Sequence, residues 1–382
     1  MRIPCLLALL WCAPAAAVSL AERVPVNPTA WDLYPENLLA SVSSYLASHL
    51  EFSGDSNHTS EAADGRLNLV GSNVIWSSHD IGLDFRDSVS RRDGGESQTL
   101  VFRYSLPVAG SDFQLAVENS EYAGVVNNAG QRYDTHGEYQ AVTLSGNRPL
   151  WSWQGVELDS VFSHSTGTGR AFEESVWVSD STHQLSSVGF RCSGQQDLPG
   201  GFVADSTLTA LGGWESRETI SRTALTSDGA EFHKLAVSAS LSRSLYTWDV
   251  GVNGRYQFAP DDLASSEYLQ IAGPSMMQGF NGQSLFVSQG GWVRLNARSP
   301  GYSMPFTNAV NSYLMLSVLK GWASTSGSRQ NRFRASTGEI SLRLQGQGFH
   351  ASMSVGRILD LSGQAMRRPA SPDVSLSMSL GI

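Results

Sequence analysis

Lysine is nearly absent from this chain. Lys234 and Lys320 are the two it carries in 382 residues, and charged residues of all kinds make up 16%. The balance is acidic, with a net charge of −9, so no nucleic-acid partner is expected, because phosphates call for a basic patch. Cysteine is equally scarce. Cys5 and Cys12 fall near the start, leaving Cys192 alone in the rest of the chain, so a mature protein has no internal disulfide to form. One such cysteine and eight histidines show no ligand spacing, and neither a metal nor a cofactor is expected. Past the first residues there is no apolar run of about eighteen, which excludes a transmembrane helix but not a transmembrane strand.

What is present begins with an export signal. Arg2 supplies a positive start, Ile3 to Trp11 an apolar stretch, and Ala13 to Ala17 small residues suited to cleavage. The signal is assigned to residues 1–17, or to 21 if Ser19-Leu20-Ala21 is the cleavage site. Residues 22–44 form a lead-in, either extended or a short plug helix built on Leu38, Leu39, Val42, Tyr45 and Leu46. The barrel is assigned to 45–382.

The remainder alternates. Between Tyr246 and Phe258, Tyr246, Trp248, Val250, Val252, Tyr256 and Phe258 share one parity, while Thr247, Asp249, Asn253, Arg255 and Gln257 share the other. A pleated strand sends these two sets to opposite faces. Sixteen such stretches are read between residues 45 and 382, the last being Val374/Leu376/Met378/Leu380 against Ser375/Ser377/Ser379. A soluble sandwich would also alternate. The connections discriminate: long ones at 56–65, 165–175, 216–233, 259–290, 323–338 and 359–372 alternate with short ones, including Ser77 to Asp80 and Ser145 to Pro149. Long loops at one end and tight turns at the other are the layout of an outer-membrane barrel. Trp76, Trp151, Trp153, Trp177, Trp214, Trp248 and Trp322 fit an interfacial girdle. The fold class is therefore all-β, a closed transmembrane antiparallel barrel of about sixteen strands, exported to the bacterial outer membrane and bounded by its lipid.

A family resemblance enters in the connection after the eleventh strand. Ile271-Ala272-Gly273-Pro274-Ser275-Met276-Met277-Gln278-Gly279-Phe280 resembles the apolar-Gly-Gly-x-x-Ser-Val-Arg-Gly-Phe run of two-partner secretion transporters. These are the haemolysin-activator branch of the barrel-assembly superfamily. Gly290-Gly291-Trp292 follows as in the family, and Phe102 to Gly110 with Tyr122 resembles its aromatic-x-x-Pro-x-Gly hairpin. The resemblance implies a lumen loop carrying Gly273, Ser275, Met277, Gln278, Gly279 and Phe280. It also implies a secreted polypeptide as partner, and insertion by the barrel-assembly machinery.

The chain departs from the family in several places. Gln278 stands where the family's loop Arg pairs with an Asp on the thirteenth strand, and Leu316 to Gly321 offers no carboxylate. The 259–290 connection is thus expected to enter the lumen but to be held more loosely than in the family. There is no room ahead of the barrel for the family's periplasmic transport-associated domains, so a separate periplasmic protein is expected to receive substrate. Ile382 ends the chain where an aromatic is usual.

Three functions follow. The first is a translocator. The second is a pore for small solutes or a polymer, selected by inward Arg103, Arg255, Arg294, Arg298, Arg343 and Asp249, with Asp84 and Glu118. The third is a barrel enzyme using Gly54-Asp55-Ser56-Asn57 and Asp180-Ser181-Thr182-His183. It is disfavoured because nothing in the sequence brings a Ser/His/Asp set within hydrogen-bond reach.

Overall fold

The computed structural model describes residues 50–58, 62–73, 78–90, 95–128, 131–222, 224–259, 263–264, 267–304, 307–323, 333–346, 349–363 and 366–381. The signal, the lead-in and Trp76 lie outside them. The strands in chain order are β1 (Leu50–His58), β2 (Ala62–Ser72), β3 (Asp80–Ser90), β4 (Glu96–Val108), β5 (Ser111–Asn128) and β6 (Gln131–Trp153). Then come β7 (Val156–Glu173), β8 (Val176–Leu198), β9 (Phe202–Ser221), β10 (Leu225–Leu245), β11 (Trp248–Phe258), β12 (Leu269–Ala272) and β13 (Leu285–Val287). The last six are β14 (Gly290–Arg298), β15 (Tyr302–Met304), β16 (Thr307–Ala323), β17 (Arg334–Gly346), β18 (Phe349–Ser362) and β19 (Asp373–Gly381).

Seventeen strands share one sheet, and β12 with β13 forms a separate hairpin. The three residues of β15 add only to the end of β16, which leaves sixteen strands in the wall. β1 pairs with β2 on one side and with β19 on the other, from Glu51↔Gly381 to His58↔Val374. The sheet closes on itself, so no edge is left with unpaired backbone groups, as a hydrocarbon surround requires. Every pairing in the wall is antiparallel.

Because cross-strand partners share a face, parity assigns inside and outside. Leu100, Phe102, Val142, Leu144, Val188, Phe190, Leu208, Val237, Leu295, Leu342, Met353 and Leu376 are exposed on the outer face, the surface that lipid covers. Trp151 and Trp153 stack beside the Gln154-Gly155 turn, while Trp214 lies exposed farther from the turns. Both positions suit an interfacial girdle.

The wall is uneven. β6 to β10 run for 23, 18, 23, 20 and 21 residues, whereas β1, β14 and β19 have 9 each and β11 has 11. A membrane crossing takes about 9–11 residues per strand, so the tall half projects beyond the lipid. Its outer face turns polar there: after Leu144 and Val142, β6 presents Gln140, Glu138 and His136, and after Trp214, β9 presents Ser216 and Glu218.

Two expectations are corrected. The stretches 165–175 and 216–233 are mostly strand, with a turn at Glu174-Ser175 and a bend at Arg222. Ser145 to Pro149 is not a turn: β6 continues to Trp153, and a bulge between Pro149 and Trp151 absorbs the proline, which has no N–H for the ladder. The turn is Gln154-Gly155, both with positive φ (47° and 80°), the geometry that matches the twist of a hairpin.

Candidate functional site: a loop seated on the lumen wall

The connection from β11 to β14 folds inward. β12 and β13 pair from Leu269↔Val287 to Ala272↔Leu285, and a turn closes above them, with Met276 N donating to Gly273 O at 3.0 Å. Ser275 Oγ donates to Gln270 Oε1 at 2.6 Å and fixes that turn. Leu269, Ile271, Ala272, Met277 and Phe280 are all buried, against Leu319 and Ala323 of β16, Phe333, Ala335 of β17, Ile358 of β18 and Met366. Phe280 is 1% and Ile271 0% exposed. The wall residues in that cluster have the parity opposite to the lipid-facing Leu316, Val318 and Ile340, so the loop occupies the lumen.

Three glycines permit this approach. A Cβ on Gly321 would fall on the Ile271 carbonyl oxygen, and one on Gly356 on the Gln278 carbonyl oxygen. Gly279 has φ +121° and its Cβ would lie 2.7 Å from Arg357 N. Backbone of loop and wall therefore touch where only glycine fits.

The loop tip is held by carboxylates. Glu339 on β17 accepts from Gln278 N at 2.8 Å. Asp373, the first residue of β19, accepts from Gly279 N at 2.8 Å and Asn281 N at 2.6 Å through one oxygen, Oδ2. A buried carboxylate on backbone N–H groups forms a charge-assisted bond, roughly twice as strong as a neutral one. Two carboxylates that the sequence did not pair with the loop thus hold it. The thirteenth wall strand, β16, carries none, but the fourteenth and sixteenth do, and they bind the loop's backbone rather than its side chain. Gln278 Oε1 itself is buried without a partner.

Further ties hold the flanks. Arg294 Nη1 donates to Met276 O at 2.9 Å, and Thr337 Oγ1 lies 3.1 Å from Met277 Sδ. Gln283 exchanges two bonds with the Arg367 backbone, at 2.9 and 2.8 Å. At the base, Gln257 Nε2 donates to Glu267 O and Ser288 O, both at 3.0 Å, and Lys234 of β10 pairs with Glu267.

The charged candidates separate. Arg294 belongs to the loop site. Arg103 lies 4.0 Å from buried Asp84, which also binds Arg66 and Arg86. Asp249 sits opposite Arg298, whose guanidinium stacks 4.1 Å from the Tyr313 ring. Arg343 faces Tyr313 from the next strand. Arg255, opposite Trp292, is exposed on the inner face. The hydrolase pieces do not meet: Ser56 is on β1, seven strands from β8, and His183 binds Glu215 at 2.6 Å while Asp180 accepts from Trp177 Nε1. Glu339, Asp373, Gln283 and the Lys234–Glu267 pair escaped the motif reading. Parity carried a signal for two of them, since Ile340 and Val374 outward put Glu339 and Asp373 inward.

The model of the family "Haemolysin secretion/activation protein ShlB/FhaC/HecB" matches residues 45–337. Among solved structures, CdiB from Acinetobacter baumannii is similar with a TM-score of 0.67 and 17% identity, over 87% of this chain and 60% of that one. CdiB from Escherichia coli gives 0.66 and 17%, over 87% and 63%. The chain therefore spans less than two thirds of these proteins' length, and at this identity they speak for the fold alone. No curated protein matches. With a family model covering most of the chain, a closed sixteen-strand wall and a motif loop in the lumen, this chain belongs to the haemolysin secretion/activation family, the outer-membrane barrels of two-partner secretion.

Proposed function

We propose that the protein moves an unfolded secreted polypeptide through its lumen, and that the seated loop is the element which must yield to it. Residues 1–17 or 1–21 would direct export, 22–44 would lead into the wall, and a periplasmic protein would deliver substrate. The observation that supports this reading most is the Gly273 to Phe280 segment held against β16 to β19 by glycine contacts and two carboxylates, at the place where the family's motif falls. A short, reducible thiol cross-linker joining Met277→Cys and Thr337→Cys, at positions whose native side chains meet at 3.1 Å, tests it. Cross-linked, this variant should secrete no exoprotein encoded beside it, and reduction should restore secretion. Secretion unchanged by the cross-link would end the proposal.

The inner-face charges favour a second reading, a conducting pore. Arg255→Glu with Arg343→Glu should then shift ion selectivity in planar bilayers toward cations. A barrel that neither conducts nor changes selectivity would leave those arginines as lumen filling.

A further inference from the structure

Carboxylate and amide oxygens at the loop tip are left over after every hydrogen bond is drawn. Asp373 Oδ1, Asn281 Oδ1 and Gln278 Oε1 are buried without a partner, as is Ser341 Oγ two residues beyond Glu339 on β17. Buried polar atoms in folded proteins are almost always satisfied. Asp373 is 0% and Asn281 5% exposed. The two residues are neighbours, because Asn281 N donates to the other Asp373 oxygen, Oδ2, at 2.6 Å. Gln278 is three residues upstream and tied to Glu339. With Asp373 ionised the first three are acceptors, so none can satisfy another as oriented.

Positive charge is what such a set calls for; Arg294 lies close enough to Glu339 to attract it, but neither nearby guanidinium bonds Asp373, Asn281 or Gln278. Arg294 serves Met276 O, Asn296 and Ser317, and Arg368 serves the Ile358 and Leu359 carbonyls. Among the described residues no group of three His, Cys, Asp or Glu side chains is placed to hold a metal, so a cation bound here would rest on amide and hydroxyl oxygens beside the Asp373 carboxylate. Carboxylate, amide and hydroxyl oxygens suit a hard cation, and calcium accepts amide carbonyls in flexible geometry where magnesium keeps its waters.

We infer that Asp373, Asn281 and Gln278, with Glu339 beside them, hold one calcium-class divalent cation that fastens the lumen loop to β17 and β19. It supplies the positive charge that Gln278 does not bring. The competing arrangements are lumen water bonded to these oxygens, or a rotated Asn281 amide donating Nδ2–H to Asp373 Oδ1, and either would satisfy them with no ion.

Binding, rather than secretion, tests this, so it stands apart from the translocation reading. The full-length exported barrel, purified free of lipopolysaccharide and stripped with EDTA, is titrated with calcium chloride by calorimetry and with terbium by Trp-sensitised luminescence. One saturable ion per barrel is expected, with calcium displacing terbium. Affinity should fall at least tenfold in Asp373→Asn and in Asn281→Ala. Gln278→Arg should abolish binding and make protease protection of the loop insensitive to EDTA, and it decides the matter if Asp373→Asn does not fold. No saturable binding to the wild type, or full binding in Gln278→Arg, overturns the inference.

Discussion

The two halves of this barrel are stabilised in different ways. From β6 to β10 the strands are tall and meet through turns such as Gln154-Gly155 and Glu174-Ser175, so nearly all of their polar backbone is satisfied by the ladder itself. From β11 to β19 the strands are mostly shorter, and the connection from β11 to β14 spends its length inside the lumen. There cohesion comes from packing: Phe280, Ile271 and Met277 on Leu319 and Ile358, with three glycines at the contacts. The tall strands touch the connection at fewer points, through Leu185 and Phe232 on Leu263 and Ala264 and through Lys234 on Glu267, so side-chain change on their outer face should be tolerated better than change beneath the seated loop.

The largest difference expected between the halves is all-or-none. If the tall rim projects outward from the cell, Ala224→Cys labels with an impermeant maleimide on intact cells, and Gln154→Cys labels only after the outer membrane is opened. Labelling of both from outside would break the assignment of long strands to the exterior.

Truncating an aromatic in each half comes next. Phe280→Ala removes a fully buried ring and should cost about 3–5 kcal/mol, read as a lower urea midpoint for loss of the heat-modifiable barrel. Phe190→Ala, on a residue 55% exposed on the outer face, should cost far less. Equal losses would mean that the loop adds nothing to the fold. A methyl group gives a smaller contrast. Gly356→Ala would drive a Cβ into the Gln278 carbonyl, whereas Gly229→Ala meets nothing nearer than the Glu215 carbonyl at 3.6 Å. The first should cost about 1–3 kcal/mol and raise protease cleavage in 267–289, the second under about 0.5.

Much of the wall was legible because lipid demands alternation. Val374, Leu376 and Met378 against Ser375 and Ser377 can be read as a strand without any structure, and the inward parity of Arg255, Arg294, Arg298 and Arg343 follows from the same count. The reading stopped where lipid stops. Ser216 and Glu218 face outward above the apolar band, so β9 continues through residues that look like loop. The loop segment itself was visible as a motif, but its partners were not. Glu339 and Asp373 lie 61 and 94 residues from the groups they bind, and only the pairing of β14 through β19 in a curved wall brings β17 and β19 beneath the loop. Pairing a side chain with a side chain was also the wrong template, since the loop is gripped by its backbone.

The smallest expected effect sharpens that last point. Gln278 occupies the motif's central position, and a side-chain lock would make it the costliest residue of the loop to lose. The geometry argues the reverse. Its tie to Glu339 runs through the backbone N–H at 2.8 Å, which Gln278→Ala keeps, and its amide oxygen has no partner to forfeit. Removing an unsatisfied buried acceptor relieves a desolvation penalty and loses some packing, two terms of opposite sign. With divalent cations chelated, the urea midpoint of Gln278→Ala should therefore stay within about 0.5 kcal/mol of the parent. Glu339→Ala, which strands the same N–H in a partly buried place, should cost more, about 1–3 kcal/mol. A Gln278→Ala loss exceeding that of Glu339→Ala would show that the side chain carries the lock and that the backbone bonds merely accompany it.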